Sequence, residues 1–231
     1  MLFKHEKQPC WNERIEIAYN IEKWILYLHE ECESQIIHYD IKPQNILIDE
    51  YRCAKISNFG LAKLLKLDQT NTFTGIQRTK GYVALKWHRK QPVTVKVEAY
   101  NFGIVLLYLI CYGNNVDWNL LEEEESILEE WAYHCFKAHE LGKLVSAKEV
   151  DKRQSERMVK VGLRCILDDP SLHPSIKKVL IMLEGTVECR YNSQSFQIRL
   201  LLLVSCKMCL CFFFLKLSFI KNLSEITPSI T

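Results

Sequence analysis

The stretch Tyr100 to Ile110 reads YNFGIVLLYLI and is apolar on nearly every side. A helix of that kind has no face to offer water, so it is expected to be buried all round. Candidates to surround it are easy to find. Ile17/Ala18, Ile21, Trp24/Ile25 and Leu28 form a helical stripe within Arg14 to His29. Ile127/Leu128, Trp131 and Cys135 mark a second amphipathic helix, and Met158/Val159, Gly162 and Cys165/Ile166 a third. A last one runs from Ile176 to Leu183, with Pro174 placed in its first turn and Gly185 stopping it.

The β content is small and lies near the front. Asn45-Ile46-Leu47-Ile48 and Ala54-Lys55-Ile56-Ser57 read as two short strands, joined by the turn Asp49 to Arg52. Residues 58 to 95 hold no sustained period and are rich in Thr, Lys and Gly, which predicts a long loop. The acidic run Glu122 to Glu125 suits a solvated helix start. The expected fold class is therefore mostly α with a small β-hairpin element. At 231 residues the chain is one domain, or one and a half.

Charge narrows the functions. Lys+Arg 30 against Asp+Glu 28 gives a net charge of +2, too balanced for a protein that grips a phosphate backbone, so nucleic acid is not an expected partner. Of the ten cysteines, seven are scattered through position 189, and the start MLFKHEK lacks the apolar run of a signal peptide. They read as reduced, buried thiols rather than a disulfide framework. Cys206-x-x-Cys209-x-Cys211 lacks a second Cys/His pair, so zinc is not expected there. Leu200 to Ile220 is long enough to cross a bilayer, but Lys207 near its centre costs about 3 kcal/mol. Membrane attachment through 200–220 and a tail without a partner both stay open.

Residues 36 to 60 read IIHYDIKPQNILIDEYRCAKISNFG. His38, Asp40 and Asn45 fall at the spacing of the protein-kinase catalytic loop, H-R-D-x-x-x-x-N, and Asn58-Phe59-Gly60 falls where its D-F-G belongs. Gly81-Tyr82-Val83-Ala84 resembles the end of an activation segment, and Glu98-x-Tyr100-x-Phe102-Gly103 the start of the central helix. The chain thus resembles a protein kinase. Tyr27-Leu28-His29-Glu30-Glu31-Cys32, Ile41 to Leu47, Thr72 to Ile76 and Met182 to Gly185 resemble plant receptor-like serine/threonine kinases of the lectin-ectodomain type. Residues 1–188 are expected to be a kinase C-terminal lobe, with the N-terminal lobe absent, and residues 189–231 an unrelated hydrophobic tail.

The resemblance assigns roles. Asp40 would accept or orient the substrate hydroxyl proton, Lys42 would neutralise the transferred phosphoryl group, and Thr79 would position a Ser or Thr substrate. Asn45, with residue 58, would hold Mg²⁺, and ATP would be the phosphoryl donor. Thr70, Thr72 and Thr74 lie where activation-loop phosphosites occur. Several positions depart from the pattern. Nothing before Arg14 supplies a Gly-rich loop or the Lys-bearing strand. Asn58 replaces the metal-binding Asp, and Mg²⁺ favours anionic oxygen. Ala84-Leu85-Lys86 replaces A-P-E, and its late Arg partner is His173. Tyr39 replaces an Arg. Glu98 replaces an Asp and is one methylene too long to brace the loop, and Trp24 replaces a small residue, which puts helix packing in doubt.

These readings predict a catalytically inactive pseudokinase fragment, acting at most as a binding module for a protein substrate or regulator through its helical face. The alternatives are part of an active Ser/Thr kinase whose N-terminal lobe comes from a longer product, and a membrane-attached remnant. The expected location is the cytoplasm or the cytoplasmic face of a membrane.

Overall fold

The structure, a computed structural model, describes residues 9–65, 94–112, 125–145, 150–167 and 169–189. Thr70, Thr72, Thr74, Thr79, Lys86, the run 122–124, Cys206, Cys209, Cys211 and the segment 200–220 lie outside the described residues. Among the described residues no helix is long and apolar enough to cross a membrane.

Five α-helices and two small antiparallel sheets make up the described residues. Helix α1 spans Trp11–Leu26 and runs into a π-helical turn, Tyr27–Glu31. Strand β1 is Gln35–Ile37, β2 Ile46–Ile48, β3 Ala54–Ile56 and β4 Lys63–Leu65. Helix α2 is Lys96–Cys111, α3 Glu125–Lys137, α4 Lys152–Cys165 and α5 Ile176–Glu184.

Every residue of α2 from Val97 to Cys111 is buried. The sequence demands this, and α1, α3, α4 and α5 all pack against it. The tightest crossing is α2 on α4. A Cβ at Gly103 would stand 2.6 Å from the Cys165 Cβ, and one at Gly162 would stand 2.9 Å from a Leu107 methyl. Two glycines therefore let the helices approach within backbone distance. Asp151 caps α4, its side chain accepting the Arg153 N–H at 2.8 Å. The hairpin forms as expected, with Ile46 opposite Ile56 and Ile48 opposite Ala54. Arg52 turns it with φ 66, and its guanidinium bonds Glu13 of α1 at 2.9 Å. The Cys10 N–H foremost, with Arg52, holds the Glu13 carboxyl below its usual range.

Several expectations need correction. Helix α1 starts at Trp11, ahead of the periodic stripe. A second sheet pairs β1 with β4, Gln35 against Leu65, and β4 lies inside the stretch that reads as loop. Strands of three residues are too short to show a period. Pro174 precedes α5, whose cap is Ser175, and Gly185 closes it with φ 82. Cys111, Cys135, Cys165 and Cys189 are buried, but Cys10 and Cys53 are exposed. Trp24 does not crowd the core. It lies on the surface side of α1, with Nε1 donating to the Ala54 carbonyl at 3.1 Å and its ring edge-on to Tyr27.

Candidate functional site

The loop between β1 and β2 is held from three sides. From below, Glu98 near the start of α2 is fully buried. Its Oε1 accepts the Tyr39 backbone N–H at 3.0 Å, and its Oε2 pairs with His29 on the π-helical turn. Tyr39 has φ 72, a conformation an L-residue keeps only when the surroundings hold it. Its side chain joins a small apolar cluster with Ile37, Leu65 and Val97. The extra methylene of Glu98, expected to spoil the brace, leaves it intact. Tyr39 replaces the charge of an Arg with burial.

From the side, His38 ties the loop to the segment after β3. Its Nε2 donates to the Ser57 carbonyl at 2.9 Å, and its Nδ1 accepts the Asp40 N–H at 3.3 Å. That pairing defines a neutral imidazole with the proton on Nε2. Phe59 packs edge-on to the same ring at 4.7 Å. Ser57 closes the tie, its N–H and hydroxyl both donating to the Asn45 carbonyl, at 2.8 and 2.9 Å.

From within, Asp40, Lys42, Asn45 and Asn58 form one polar chain. The Lys42 Nζ stands 3.0 Å from Asp40 Oδ2. The Asn45 amide nitrogen donates to the Asp40 carbonyl at 2.7 Å and to Oδ2 at 2.9 Å. The Asn58 amide nitrogen donates to Asn45 Oδ1 at 3.2 Å. Asp40 and Asn45 are buried, whereas Asn58 is exposed and sits at φ 66, where Asn is tolerated. The structure thus brings four of the five sequence-predicted site residues together, and the fifth, Thr79, lies outside the described residues. Reading the sequence misses His29 as a brace. Its only signal is its place at the end of a helical stripe.

Mg²⁺ is the cation this loop implies. Magnesium is held by one or two carboxylates with phosphate oxygens. Here one carboxylate, Asp40, is already matched by Lys42, so the four side chains carry no formal excess of negative charge. The oxygen Asn45 would offer a cation is taken by the Asn58 N–H. These residues do not fit a divalent cation.

The late ion pair expected to be lost is replaced on the side that is described. His173 is buried, stacked on Tyr100 at 5.9 Å, with Nε2 at 2.5 Å from the Leu167 carbonyl and Nδ1 at 3.3 Å from that of Lys96. Burial pushes its pKa below the usual value.

Comparison with known proteins agrees with this architecture. The protein kinase domain family matches residues 4–182, and the chain belongs to that family. It is 48% identical over 181 residues to a G-type lectin S-receptor-like serine/threonine-protein kinase of Oryza sativa subsp. indica, covering 77% of this chain and 22% of that protein. To another such kinase of the same plant it is 45% identical over 190 residues, covering 81% of this chain and 23% of the other. A third, from Arabidopsis thaliana, is 46% identical over 190 residues, 81% of this chain and 22% of its own length. The chain spans under a quarter of the length of these curated relatives.

Proposed function

We propose that this chain is a kinase C-terminal lobe that does not transfer phosphate and serves as a binding module for a protein partner. The observation that carries the reading is position 58. Phosphoryl transfer rests on positioning and charge stabilisation, and the metal ions supply much of the charge. Loss of one preorganised electrostatic contact of this kind typically costs about 10²–10³ in rate. An amide stands here in place of the carboxylate, and it bonds to the other metal-ligand candidate. The partner surface is the helical face of the lobe. The free cysteines agree with a reducing compartment, the cytoplasm or the cytoplasmic face of a membrane.

A second reading keeps the activity. Lys42 and Asn45 both contact Asp40, and Glu98 holds their loop, so the same residues would serve a Ser/Thr kinase joined to a nucleotide-gripping lobe. A thermal-shift titration of the full chain with ATP, with and without Mg²⁺, separates the two. The first reading predicts no Mg²⁺-dependent shift. A shift that needs Mg²⁺ and disappears in Asn45→Ala supports the second.

A further inference from the structure

The hydrogen bonds of the site have a direction. The Asp40 carbonyl is an acceptor only, and so is its ionised carboxylate. Both face the same Asn45 nitrogen, at 2.7 and 2.9 Å. That fixes the Asn45 amide: its nitrogen points to Asp40, and Oδ1 has to point the other way. Oδ1 meets the Asn58 side chain at 3.2 Å, so the atom of Asn58 facing it has to be the donor nitrogen. Asp40 thereby orients Asn45, and Asn45 orients Asn58.

A carboxylate at position 58 would place an acceptor oxygen against the Asn45 oxygen. Two acceptors at that separation need a hydrogen or a cation between them. The Asn58 amide brings its own hydrogen. We propose that the Asn45–Asn58 amide pair stands in the place of a divalent cation, so that the loop and the segment after β3 hold together without metal, and that position 58 alone sets this.

The inference rests on the reading above that Asn58 occupies a metal-ligand position, but it makes a separate claim. Silence of the site is a self-satisfied hydrogen bond and not general damage. The rest of the donor set is ready. Asn45 is buried and oriented, the Ser57 tie fixes the following segment, and φ 66 at position 58 suits an acidic side chain nearly as well as an amide. One substitution should therefore open the site to metal.

Mn²⁺ alone is the probe, followed by water-proton relaxation on the full chain, with melting curves in parallel. The wild-type chain is expected to show no saturable Mn²⁺ binding and no change in melting temperature. Asn58→Asp is expected to gain one saturable site and to melt several degrees higher with Mn²⁺ than without it. Saturable binding by the wild-type chain that Asn45→Ala abolishes overturns the proposal, as does a folded Asn58→Asp that binds no Mn²⁺. Should Asn58→Asp not fold, the wild-type chain decides. No saturable binding upholds the amide pair, and binding sensitive to Asn45→Ala overturns it. Relaxation and melting do not report phosphoryl transfer, so an inert wild-type chain that binds Mn²⁺ through Asn45 sinks this inference and leaves the proposed function standing.

Discussion

Glu98 on α2 accepts the backbone N–H of Tyr39 at 3.0 Å, across 59 residues of chain. The same buried carboxylate pairs with His29 through its other oxygen. The loop that carries Asp40 is thus held at a strained residue by one side chain of the most buried helix. Glu98→Ala removes the acceptor of the Tyr39 N–H and the partner of His29 together. Leaving a buried polar group without its partner costs about 1–3 kcal/mol. Chemical denaturation of Glu98→Ala should show a loss of that order. A loss below about 1 kcal/mol, the size of an ordinary net hydrogen bond, would mean the brace holds nothing.

Glu22 is a different kind of buried acid. It is fully buried on α1, and among the described residues neither carboxylate oxygen has a hydrogen-bond partner. Burial first, then the charges of Glu184 and Glu30 against the opposing Lys23, pushes its pKa up to about 8. The folded chain keeps the proton at neutral pH, while the unfolded chain releases it near the model-peptide value of 4.5. Stability from this group is therefore full below about pH 4.5 and is lost as pH rises towards 8. The slope is at most about 1.4 kcal/mol per pH unit. Glu22→Gln should flatten that fall, and a denaturation series across this range reads it directly.

His173 pulls the other way. Burial lowers its folded pKa, so its contribution is present above the model-peptide value of 6.5 and is lost as pH falls below it. His173→Gln should remove that acid-side loss and leave the alkaline limb, set by Glu22, unchanged. An alkaline limb that moves with His173→Gln would contradict the assignment.

The crossing of α2 and α4 has no room. Gly103→Ala puts a Cβ 2.6 Å from the Cys165 Cβ and 3.0 Å from the Gly162 carbonyl oxygen, and backbone cannot step aside as a side chain can. Overpacking of this kind costs about 1–3 kcal/mol. A melting temperature equal to that of the wild-type chain would show that the helices can separate.

Much of this architecture is legible in the residues themselves. The apolar run around Phe102 demands a central buried helix, and the spacing of His38, Asp40 and Asn45 places a catalytic-type loop beside a hairpin. What the sequence hides is geometry of a finer grain. Glu98 reads as too long for its task, yet the π-helical turn brings His29 to its second oxygen. Trp24 reads as too large, yet its helix face is open and the Ala54 carbonyl accepts its indole N–H. The pairing of Gln35 with Leu65 leaves no trace because three-residue strands have no period. The meeting of Asn58 with Asn45 depends on backbone at φ 66, which residue identity permits but does not dictate.

The most direct test of the account is phosphoryl transfer itself. The purified full chain is incubated with γ-labelled ATP, Mg²⁺ and a general protein substrate, beside an Asp40→Asn control. The account predicts that labelling by the two proteins is the same. Labelling by the wild-type chain that Asp40→Asn abolishes would contradict it, and would make this chain an active kinase despite the amide at position 58.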